Sequence, residues 1–260
     1  MTQMNFTLIK PSPPLDQFVK TFWILEKVYS NSGGYETVYP DGCVDLVFSL
    51  SENKYTSFFS GQQTKAIKIP QLNKVKFVAI EFFPYGAFPF FNIPIKEFTG
   101  VITAPADIFG NSFIELSEKV FASSPALIIQ SIETFLIQRL LKNKVDIEQT
   151  IKAAQLLYQY KGNIRIDQLA ATVNMTARTL ERKFEIATGL TPKALAKVFR
   201  FNKIKNELML APYSNLTSLA YKYNYFDQAH FIHDFKQFTG YPPASFAKEV
   251  IEKNIYFNRQ

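Results

Sequence analysis

The sequence is poor in the residues that disulfides, metal sites and membrane spans require. Cys43 is the only cysteine, and residues 1–229 contain neither of the two histidines. One cysteine cannot form an intrachain disulfide and is typical of a reducing compartment. No apolar run reaches the roughly 18 residues that a membrane-spanning helix needs. The N-terminal sequence MTQMNFTLIKPSPPLDQF lacks the features of a signal peptide, so we expect a cytoplasmic protein without a membrane partner.

Positive charge is scarce in the first part of the chain and abundant in the last. Residues 1–150 carry 13 Lys and Arg against 14 Asp and Glu, a net charge of −1. Residues 151–260 carry 16 against 8, a net charge of +8. Such asymmetry favours an anionic partner for the C-terminal part, although a well-solvated basic domain would have the same charge.

The C-terminal part contains an internal repeat of about 50 residues. At an offset of 51, ATGLTP aligns with FTGYPP. The one-residue slip between offsets of 50 and 51 falls in a segment where a turn can absorb it. The aligned pairs are Ala170 with Ala220 and Asn174 with Asn224 at the offset of 50, and Leu180 with Phe231 and Phe184 with Phe235 at the offset of 51.

Each repeat is predicted to form two helices joined by a turn. Each has an asparagine that suits a left-handed turn, an N-cap residue, and a glycine that ends the second helix. These are Asn174, Thr176 and Gly189 in the first unit (about residues 164–189) and Asn224, Asp227 and Gly240 in the second (about residues 216–240). The predicted inward residues are Ile166, Leu169, Val173, Ala177, Leu180, Phe184 and Ala187 in the first unit and Phe231, Phe235 and Phe238 in the second.

A longer basic helix over residues 192–210 is predicted to join the two units. Pro192 suits its first turn. Its predicted inner residues are Leu195, Phe199 and Leu208, with Val198 and Ile204 near them, and its basic residues are Lys197, Arg200, Lys203 and Lys205.

Two helix-turn-helix units joined by a basic helix resemble the DNA-binding domain of the AraC/XylS family of bacterial transcription regulators. The resemblance covers about residues 148–250 and rests on LAATVNMTARTLERKFEIATGLTPKALAKVFRFNKIKNEL and SLAYKYNYFDQAHFIHDFKQFTGYPPASF. Asn174 and Asn224 stand where the family usually has glycine, and because asparagine accepts the same backbone we expect no change of fold. The resemblance implies double-stranded DNA as a partner and RNA polymerase as a further candidate partner.

In this fold the second helix of each unit enters the major groove. Helical spacing gives the predicted base-reading residues, which lie opposite the apolar face, flank that side, or begin the helix. They are Arg178, Thr179, Glu181 and Arg182 in the first unit and Gln228, Ala229, His230 and His233 in the second. An arginine can donate two hydrogen bonds to guanine, and Glu181 can accept one from a cytosine amino group. The alternative for Arg178 and Arg182 is a solvated face without a partner.

Four basic residues are predicted to contact phosphate, which positions a domain without reading sequence. They are Lys183, Arg200, Lys203 and Lys236. The joining helix would hold the two reading helices on one side of the duplex, about one turn or roughly 34 Å apart.

The spacing of His230 and His233 also raises the question of a metal site. A zinc site needs about four ligands, or three plus water. The chain has no third histidine, and Cys43 lies in the other part. We therefore expect no metal and no cofactor, and we interpret the two histidines as DNA contacts, the alternative being surface residues without a role.

The first 122 residues are predicted to form short strands separated by turns. The strand segments are FVKTFWILEKV, YETVYP, CVDLVFSL, KYTSFF, KAIKI and KVKFVAIEFF, and the turn sequences are NSGG, PDG, SENK and FPYG. This pattern favours a β-sandwich or barrel. The stretches YPDGCVDLVFSL and FVAIEFFPYGAFPFFNIPIKEFTG resemble the cupin-like sensor domain found ahead of some AraC-type DNA-binding domains, over about residues 5–110. The resemblance implies a small-molecule effector as a candidate partner.

Five aromatic side chains are candidates for an apolar effector pocket, although most are expected to be plain core. They are Trp23, Tyr39, Phe48, Phe77 and Phe82. Residues 123–144 are predicted to be a helix, capped by Ser124 and begun by Pro125. Its apolar stripe, Leu127, Ile128, Ile132, Phe135, Leu136 and Leu140, packs either on its own sheet or on a second copy of the chain in a homodimer.

These patterns predict a multidomain α+β protein. Residues 1–145 are expected to form a cupin-like β-barrel with helices, and residues 146–260 an all-α double helix-turn-helix domain. The predicted function is sequence-specific DNA-binding transcription regulation, and the alternative is a small-molecule-binding protein or cupin-type enzyme with an accessory basic domain. No phosphate-binding glycine loop, nucleophile elbow or histidine cluster supports an enzyme, and Glu81 and Asp45 have no evident catalytic partner.

Overall fold

The computed structural model describes residues 3–29, 33–52, 54–122, 124–210 and 215–253, with β-structure in the first part and helices in the last. The strands in these ranges are β1 (Gln3–Ile9), β2 (Val19–Val28), β3 (Tyr35–Val38), β4 (Val44–Ser51), β5 (Lys54–Ser60), β6 (Ile67–Pro70), β7 (Lys74–Phe82) and β8 (Ile102–Thr103). Each predicted strand segment corresponds to one of β2 to β7, while β1 and β8 were not predicted.

The strands form an open six-stranded sheet and a separate two-stranded sheet. The order in the larger sheet is β1-β2-β7-β4-β5-β8, and β3 pairs with β6. All neighbouring strands are antiparallel. Within the described residues, β1 and β8 lie at opposite edges and do not pair, so the predicted barrel is not closed. Alternating polarity predicts strands, but it does not determine whether the two edges of a sheet meet.

Short helices and two long ones cover one face of the larger sheet. They are α1 (Phe88–Phe91), a 3-10 helix (Ile95–Phe98), α2 (Ala106–Phe109), α3 (Asn111–Ala122) and α4 (Pro125–Lys142). The main core lies between them and the sheet and is rich in phenylalanine, including Phe22, Phe48, Phe82, Phe90 and Phe113. A smaller cluster around Trp23, Leu25 and Val47 lies on the other face.

The predicted helix over residues 123–144 is α4, which begins at Pro125 and ends at Lys142. Residue 123 lies outside the described residues. Ser124 is at the N-cap position, but its hydroxyl makes no capping hydrogen bond. Most of the predicted apolar stripe is buried in the core of the same chain, whereas Leu127 is exposed. The stripe therefore packs on its own domain, which is the first of the two alternatives.

The C-terminal helices pack around a second core. They are α5 (Glu148–Gln159), α6 (Ile166–Thr172), α7 (Ala177–Thr188), α8 (Pro192–Leu210), α9 (Leu216–Lys222), α10 (Gln228–Thr239) and α11 (Pro243–Lys253). Tyr85, from the β-rich part, is buried in this second core, and Tyr39 and Phe83 pack against it. The two parts of the chain therefore share apolar contacts. Among the described residues, no helix combines the length and the apolar character that crossing a membrane requires.

Candidate nucleic-acid interface

The turn between α6 and α7 has the predicted left-handed asparagine. Asn174 has φ 54°. The backbone N–H of Asn174 donates to the carbonyl of Ala171 (3.1 Å), and that of Met175 donates to the carbonyl of Ala170 (2.9 Å). These bonds reverse the chain within three residues and set the start of α7.

The turn between α9 and α10 repeats this arrangement 50 residues later. Asn224 has φ 55°. Its backbone N–H donates to the carbonyl of Tyr221 (3.0 Å), and that of Tyr225 donates to the carbonyl of Ala220 (3.0 Å). The repeat that the sequence predicted is therefore present at the level of single backbone hydrogen bonds.

The second helices, α7 and α10, begin with matching side-chain caps. The Thr176 side chain accepts a hydrogen bond from the backbone N–H of Thr179 (3.2 Å), and the Asp227 carboxylate accepts one from the backbone N–H of His230 (2.7 Å). Both residues are the predicted N-caps. Such caps typically stabilise a helix by about 0.5–2 kcal/mol.

The second helices also end alike, at glycines with left-handed backbone. Gly189 has φ 81° and Gly240 has φ 80°. The backbone N–H of Gly189 donates to the carbonyl of Glu185 (2.9 Å), and that of Gly240 donates to the carbonyl of Lys236 (2.8 Å). Both glycines end their helices as the sequence predicted.

The apolar faces of α7 and α10 are buried as predicted, with one exception. Leu180, Phe184 and Ala187 of α7 are buried, but Ala177 is exposed. The prediction for Ala177 was wrong because this residue is the first of the helix, where the chain is still leaving the turn. On α10, Phe231, Phe235 and Phe238 are buried.

The exposed face of α7 carries two guanidinium groups. Arg178, Glu181 and Arg182 are exposed. Neither arginine forms an ion pair with another residue in the described part of the chain. Thr179 is half-buried, and its hydroxyl accepts a hydrogen bond from the hydroxyl of Thr176 (2.9 Å). Thr179 is thus engaged in the cap, whereas the two arginines can rotate toward a ligand.

The exposed face of α10 is polar but less charged. Ala229, His230 and His233 are exposed. The ring of His230 packs edge-on against that of Tyr225, with centroids 5.2 Å apart. Gln228 is half-buried and accepts a hydrogen bond from the Thr217 hydroxyl (2.7 Å). His233 is therefore the least restrained of these four side chains, with 69% of its side chain exposed.

A buried carboxylate lies behind the two histidines. Asp234 has 2% of its side chain exposed and pairs through Oδ1 with Lys197 Nζ of α8 at 3.0 Å. Its Oδ2 is buried and has no hydrogen-bond partner among the described residues. His230 Nε2 lies 3.7 Å from Oδ2, and His233 Nδ1 lies 3.8 Å from Oδ1. This ion pair ties α10 to α8, and at the offset of 51 the first unit has Lys183 in its place.

The four predicted phosphate contacts differ in how free they are. Lys236 is exposed. Lys183 Nζ lies 3.8 Å from Asp146 Oδ2, and Lys203 Nζ lies 5.9 Å from the ring centre of Tyr158. The guanidinium of Arg200 lies 5.3 Å from the ring centre of Tyr225, whose pKa burial raises to about 12. Since the Arg200 Nε is buried and no described residue forms a hydrogen bond with it, Arg200 also belongs to the packing of the domain.

The β-rich part holds both second helices near their C-terminal ends. The Thr99 hydroxyl donates a hydrogen bond to the carbonyl of Gly189 (2.6 Å). The backbone N–H of Ala66 donates to the carbonyl of Phe238 (2.8 Å). Neither contact was predicted, because each joins residues far apart in sequence and involves no residue type that signals an interface.

The turn between β3 and β4 contacts the joining helix α8. The Asn202 side-chain amide donates to the carbonyl of Pro40 (3.0 Å). Gly42 has φ 84°, and a Cβ added there would lie 3.0 Å from Phe199 and 3.2 Å from Leu195. The buried Gln62 side-chain amide donates to the carbonyl of Gly42 (2.9 Å). The β-rich part thus contacts both second helices, α7 and α10, and the helix α8 between them.

Comparisons with known proteins agree with the helix-turn-helix assignment. Residues 169–249 match a family described as a helix-turn-helix domain. The predicted AraC-type helix-turn-helix domain is therefore confirmed, and with it the coarse assignment to DNA-binding transcription regulation. Residues 7–103 match a domain of unknown function, DUF6597. A search of the curated proteins found no match.

Solved structures give distant likenesses. The C-terminal domain of AraT, a response regulator from Geobacillus stearothermophilus, is 18% identical, with a TM-score of 0.37 over 39% of this chain and 85% of that one. ToxT from Vibrio cholerae O395 is 9% identical, with a TM-score of 0.42 over 95% of this chain and 97% of that one. The assignment rests on the domain match and on the helices described above.

Proposed function

We propose that the protein is a sequence-specific transcription regulator that places α7 and α10 in two consecutive major-groove segments of DNA. The observation that carries this proposal is the repeated turn and cap geometry, which presents two second helices with exposed polar faces on one basic domain. In this proposal residues 146–260 bind DNA and residues 1–145 regulate the binding. Such a regulator would work in the bacterial cytoplasm by changing the access of RNA polymerase to a promoter, without catalysis.

The two ends of a second helix have different contacts, and this difference supports the proposal. Helix-turn-helix proteins read bases mainly with the N-terminal residues of the second helix. Arg178 and Gly189 are 11 positions apart, which is about 16 Å along a helix axis. The β-rich part therefore contacts α7 at the end opposite the proposed reading residues. A regulatory domain attached there can move the helix without covering its reading surface.

The base-reading roles that we propose follow from the exposed side chains. Arg178 and Arg182 are free to donate paired hydrogen bonds to guanine, and Glu181 can accept from cytosine. Gln228, Ala229, His230 and His233 form the corresponding surface of α10, with Thr179 contributing only if it leaves its cap. Lys183, Lys203 and Lys236 are proposed phosphate contacts, and Arg200 is the least available of the four.

Binding of the full chain to randomised duplex DNA tests the proposal. Selection should recover a motif with two half-sites centred about 10 base pairs apart. Affinity should fall steeply with salt, with a slope of log K against log salt of about −0.9 for each phosphate contact. A folded chain that selects no motif, or whose binding ignores salt, would refute the proposed function.

A matched pair of variants separates reading from positioning. Arg182→Ala should relax the preference at one base position, whereas Lys203→Ala should weaken all sequences alike. Identical selection profiles for the two variants would count against the assigned roles.

A further inference from the structure

Three side chains that can ligate a metal meet at one end of the larger sheet, outside the proposed reading residues. Asp41, Cys43 and Glu81 each offer one ligand atom, and these atoms all lie within 4.8 Å of one another. Cys43 and Glu81 are buried, and Asp41 is partly buried. The backbone N–H of Cys43 donates to Asp41 Oδ1 (2.9 Å), which fixes the carboxylate beside the thiol.

The cluster already holds a cation from the chain itself. Lys20 Nζ lies 2.7 Å from Glu81 Oε1 and 3.6 Å from Cys43 Sγ. Lys20 lies where the register of β2 against β7 shifts between Val19 and Thr21, and such irregularities redirect side chains. The bulge thus aims an ammonium group between a thiol and a carboxylate. This is a direct sign that the position favours positive charge.

The strand order explains how these residues meet. Glu81 is on β7, whose neighbours in the sheet are β2 and β4. Lys20 is near the start of β2, and Asp41 and Cys43 lie in the turn that leads into β4. Residues separated by up to 61 positions therefore share one end of the sheet. No metal site was predicted from the sequence, because that prediction considered the histidines. The sequence alone does not show that Asp41, Cys43 and Glu81 lie close together.

We propose that Asp41, Cys43 and Glu81 form a binding site for a thiophilic divalent cation of the Zn²⁺ class, which enters by displacing the Lys20 ammonium. One sulfur and two carboxylate oxygens are ligands that Zn²⁺ accepts, and a fourth position remains for water. The Lys20 side chain is 39% exposed, so the ammonium can leave toward solvent. The exchange conserves charge locally, because the metal brings two positive charges while the ammonium and the thiol proton depart.

Metal binding would draw the three ligands closer together. In a tetrahedral zinc site with bond lengths of about 2.0–2.3 Å, the ligand atoms lie roughly 3.3–3.8 Å apart. In this structure the ligand atoms of Asp41, Cys43 and Glu81 are separated by distances of up to 4.8 Å. The part that can close this gap is the turn carrying Asp41. The same turn contains Gly42, which packs on Phe199 and Leu195 of α8. Closure would therefore change a contact with the joining helix, and this consequence rests on the proposed function.

Cobalt titration of the full chain tests the site directly. Co²⁺ is a spectroscopic substitute for Zn²⁺, and a bound thiolate gives an intense near-ultraviolet charge-transfer band. The wild-type chain should develop this band at one equivalent, and Cys43→Ser should not. A His230→Ala, His233→Ala double variant should keep it. Absence of the band from the wild-type chain, or its survival in Cys43→Ser, would overturn the proposal.

The variant Lys20→Met gives a result that a merely structural cluster would not. Removing a competing positive charge within about 4 Å should tighten Co²⁺ binding about tenfold or more. Lys76→Met is the matched control, since Lys76 pairs with Glu26 in the same sheet at 3.0 Å and should leave the affinity unchanged. Equal binding by wild type and folded Lys20→Met would contradict the displacement. If Lys20→Met does not fold, the comparison of wild type with Cys43→Ser decides.

DNA binding supplies an independent measurement. The affinity of the wild-type chain for its selected motif should change by several-fold on adding Zn²⁺, and that of Cys43→Ser should not change. If the charge-transfer band appeared but Zn²⁺ did not change the DNA affinity, the coupling to α8 would be wrong and the metal site would still be supported. If the chain bound no DNA at all, the proposed function would be refuted. The cobalt titration would then still decide whether the metal site exists.

Discussion

The two helix-turn-helix units share their backbone but differ in what holds them. Both have a left-handed asparagine, a side-chain N-cap and a left-handed glycine. Gly189 is packed against Thr99, Gln62 and Ile95, whereas a Cβ at Gly240 would meet no atom of the described residues within 4 Å. The second unit has instead the buried Asp234 paired with Lys197. The end of the first unit is thus packed against side chains of the β-rich part. The second unit has one backbone hydrogen bond to that part, from Ala66 to Phe238, and its side is bound to α8.

This difference suggests that the units have different freedom. A change in the β-rich part around Thr99 acts on α7 directly. It reaches α10 through the backbone contact at Ala66 or through α8. We therefore expect the first unit to respond to regulation first, and the variants below test the comparison from the largest expected effect to the smallest.

Alanine at the two glycines should separate the units most clearly. A left-handed alanine costs about 1–2 kcal/mol at either position. At Gly189 the added Cβ would lie 2.9 Å from Thr99 Oγ1 and 3.3 Å from Gln62 and Ile95. Overpacking there should raise the total loss of unfolding free energy to about 2–4 kcal/mol. Urea denaturation of Gly189→Ala and Gly240→Ala measures the two losses of unfolding free energy. Equal losses would show that the residues around Gly189 rearrange to accommodate the added Cβ without loss of stability.

Lys197→Met should destabilise the second unit in particular. It leaves the Asp234 carboxylate buried and unpaired, and the expected loss is about 2–3 kcal/mol, less than for a fully buried pair because Lys197 is partly exposed. Hydrogen exchange should accelerate in α10 more than in α7. Lys193→Met, at an exposed position of the same helix, should change stability by less than about 0.5 kcal/mol. Uniform acceleration in both units would contradict the separate fastening.

Arg182→Ala should weaken specific DNA binding by about 1–3 kcal/mol and affect only one half-site. Only one half-site should be affected because the residue of α10 that aligns with Arg182 at the offset of 51 is His233, which has no guanidinium group. Footprinting on the selected motif measures which half-site is lost. Loss of protection over both halves would mean that the units do not read independently.

Replacing His230 and His233 with alanine should have the smallest effect on stability, within about 0.5 kcal/mol. The two imidazoles lie 3.7 and 3.8 Å from Asp234, and the ring of His230 packs against that of Tyr225. An exposed imidazole can form hydrogen bonds with base edges or phosphates, so the double variant should lose protection over the half-site bound by α10 and keep it over the other. Gln237→Ala, at an exposed position later in the same helix, is the control. A footprint and an affinity that the double variant leaves unchanged would remove the histidines from the interface.

Local signals predicted the helix-turn-helix units well. Asn174, Thr176 and Gly189 act through bonds to residues within four positions, so their types report the backbone directly. Tertiary contacts left no such signal. The Thr99–Gly189 bond spans 90 positions, and the open edges of the sheet depend on strand pairing rather than on alternation. The meeting of Asp41, Cys43 and Glu81 likewise required the strand order.

The bond between Ala66 and Phe238 uses backbone atoms at both ends. Natural selection that acts on side chains therefore has little effect on this hydrogen bond. Proline at position 66 is the substitution that would remove the donor outright. Under the proposed function, the exposed residues of α10 could change to fit a new operator after gene duplication while this attachment to the β-rich part persisted. A lineage could in this way exchange the DNA sequence that it recognises and keep the inherited means of controlling it.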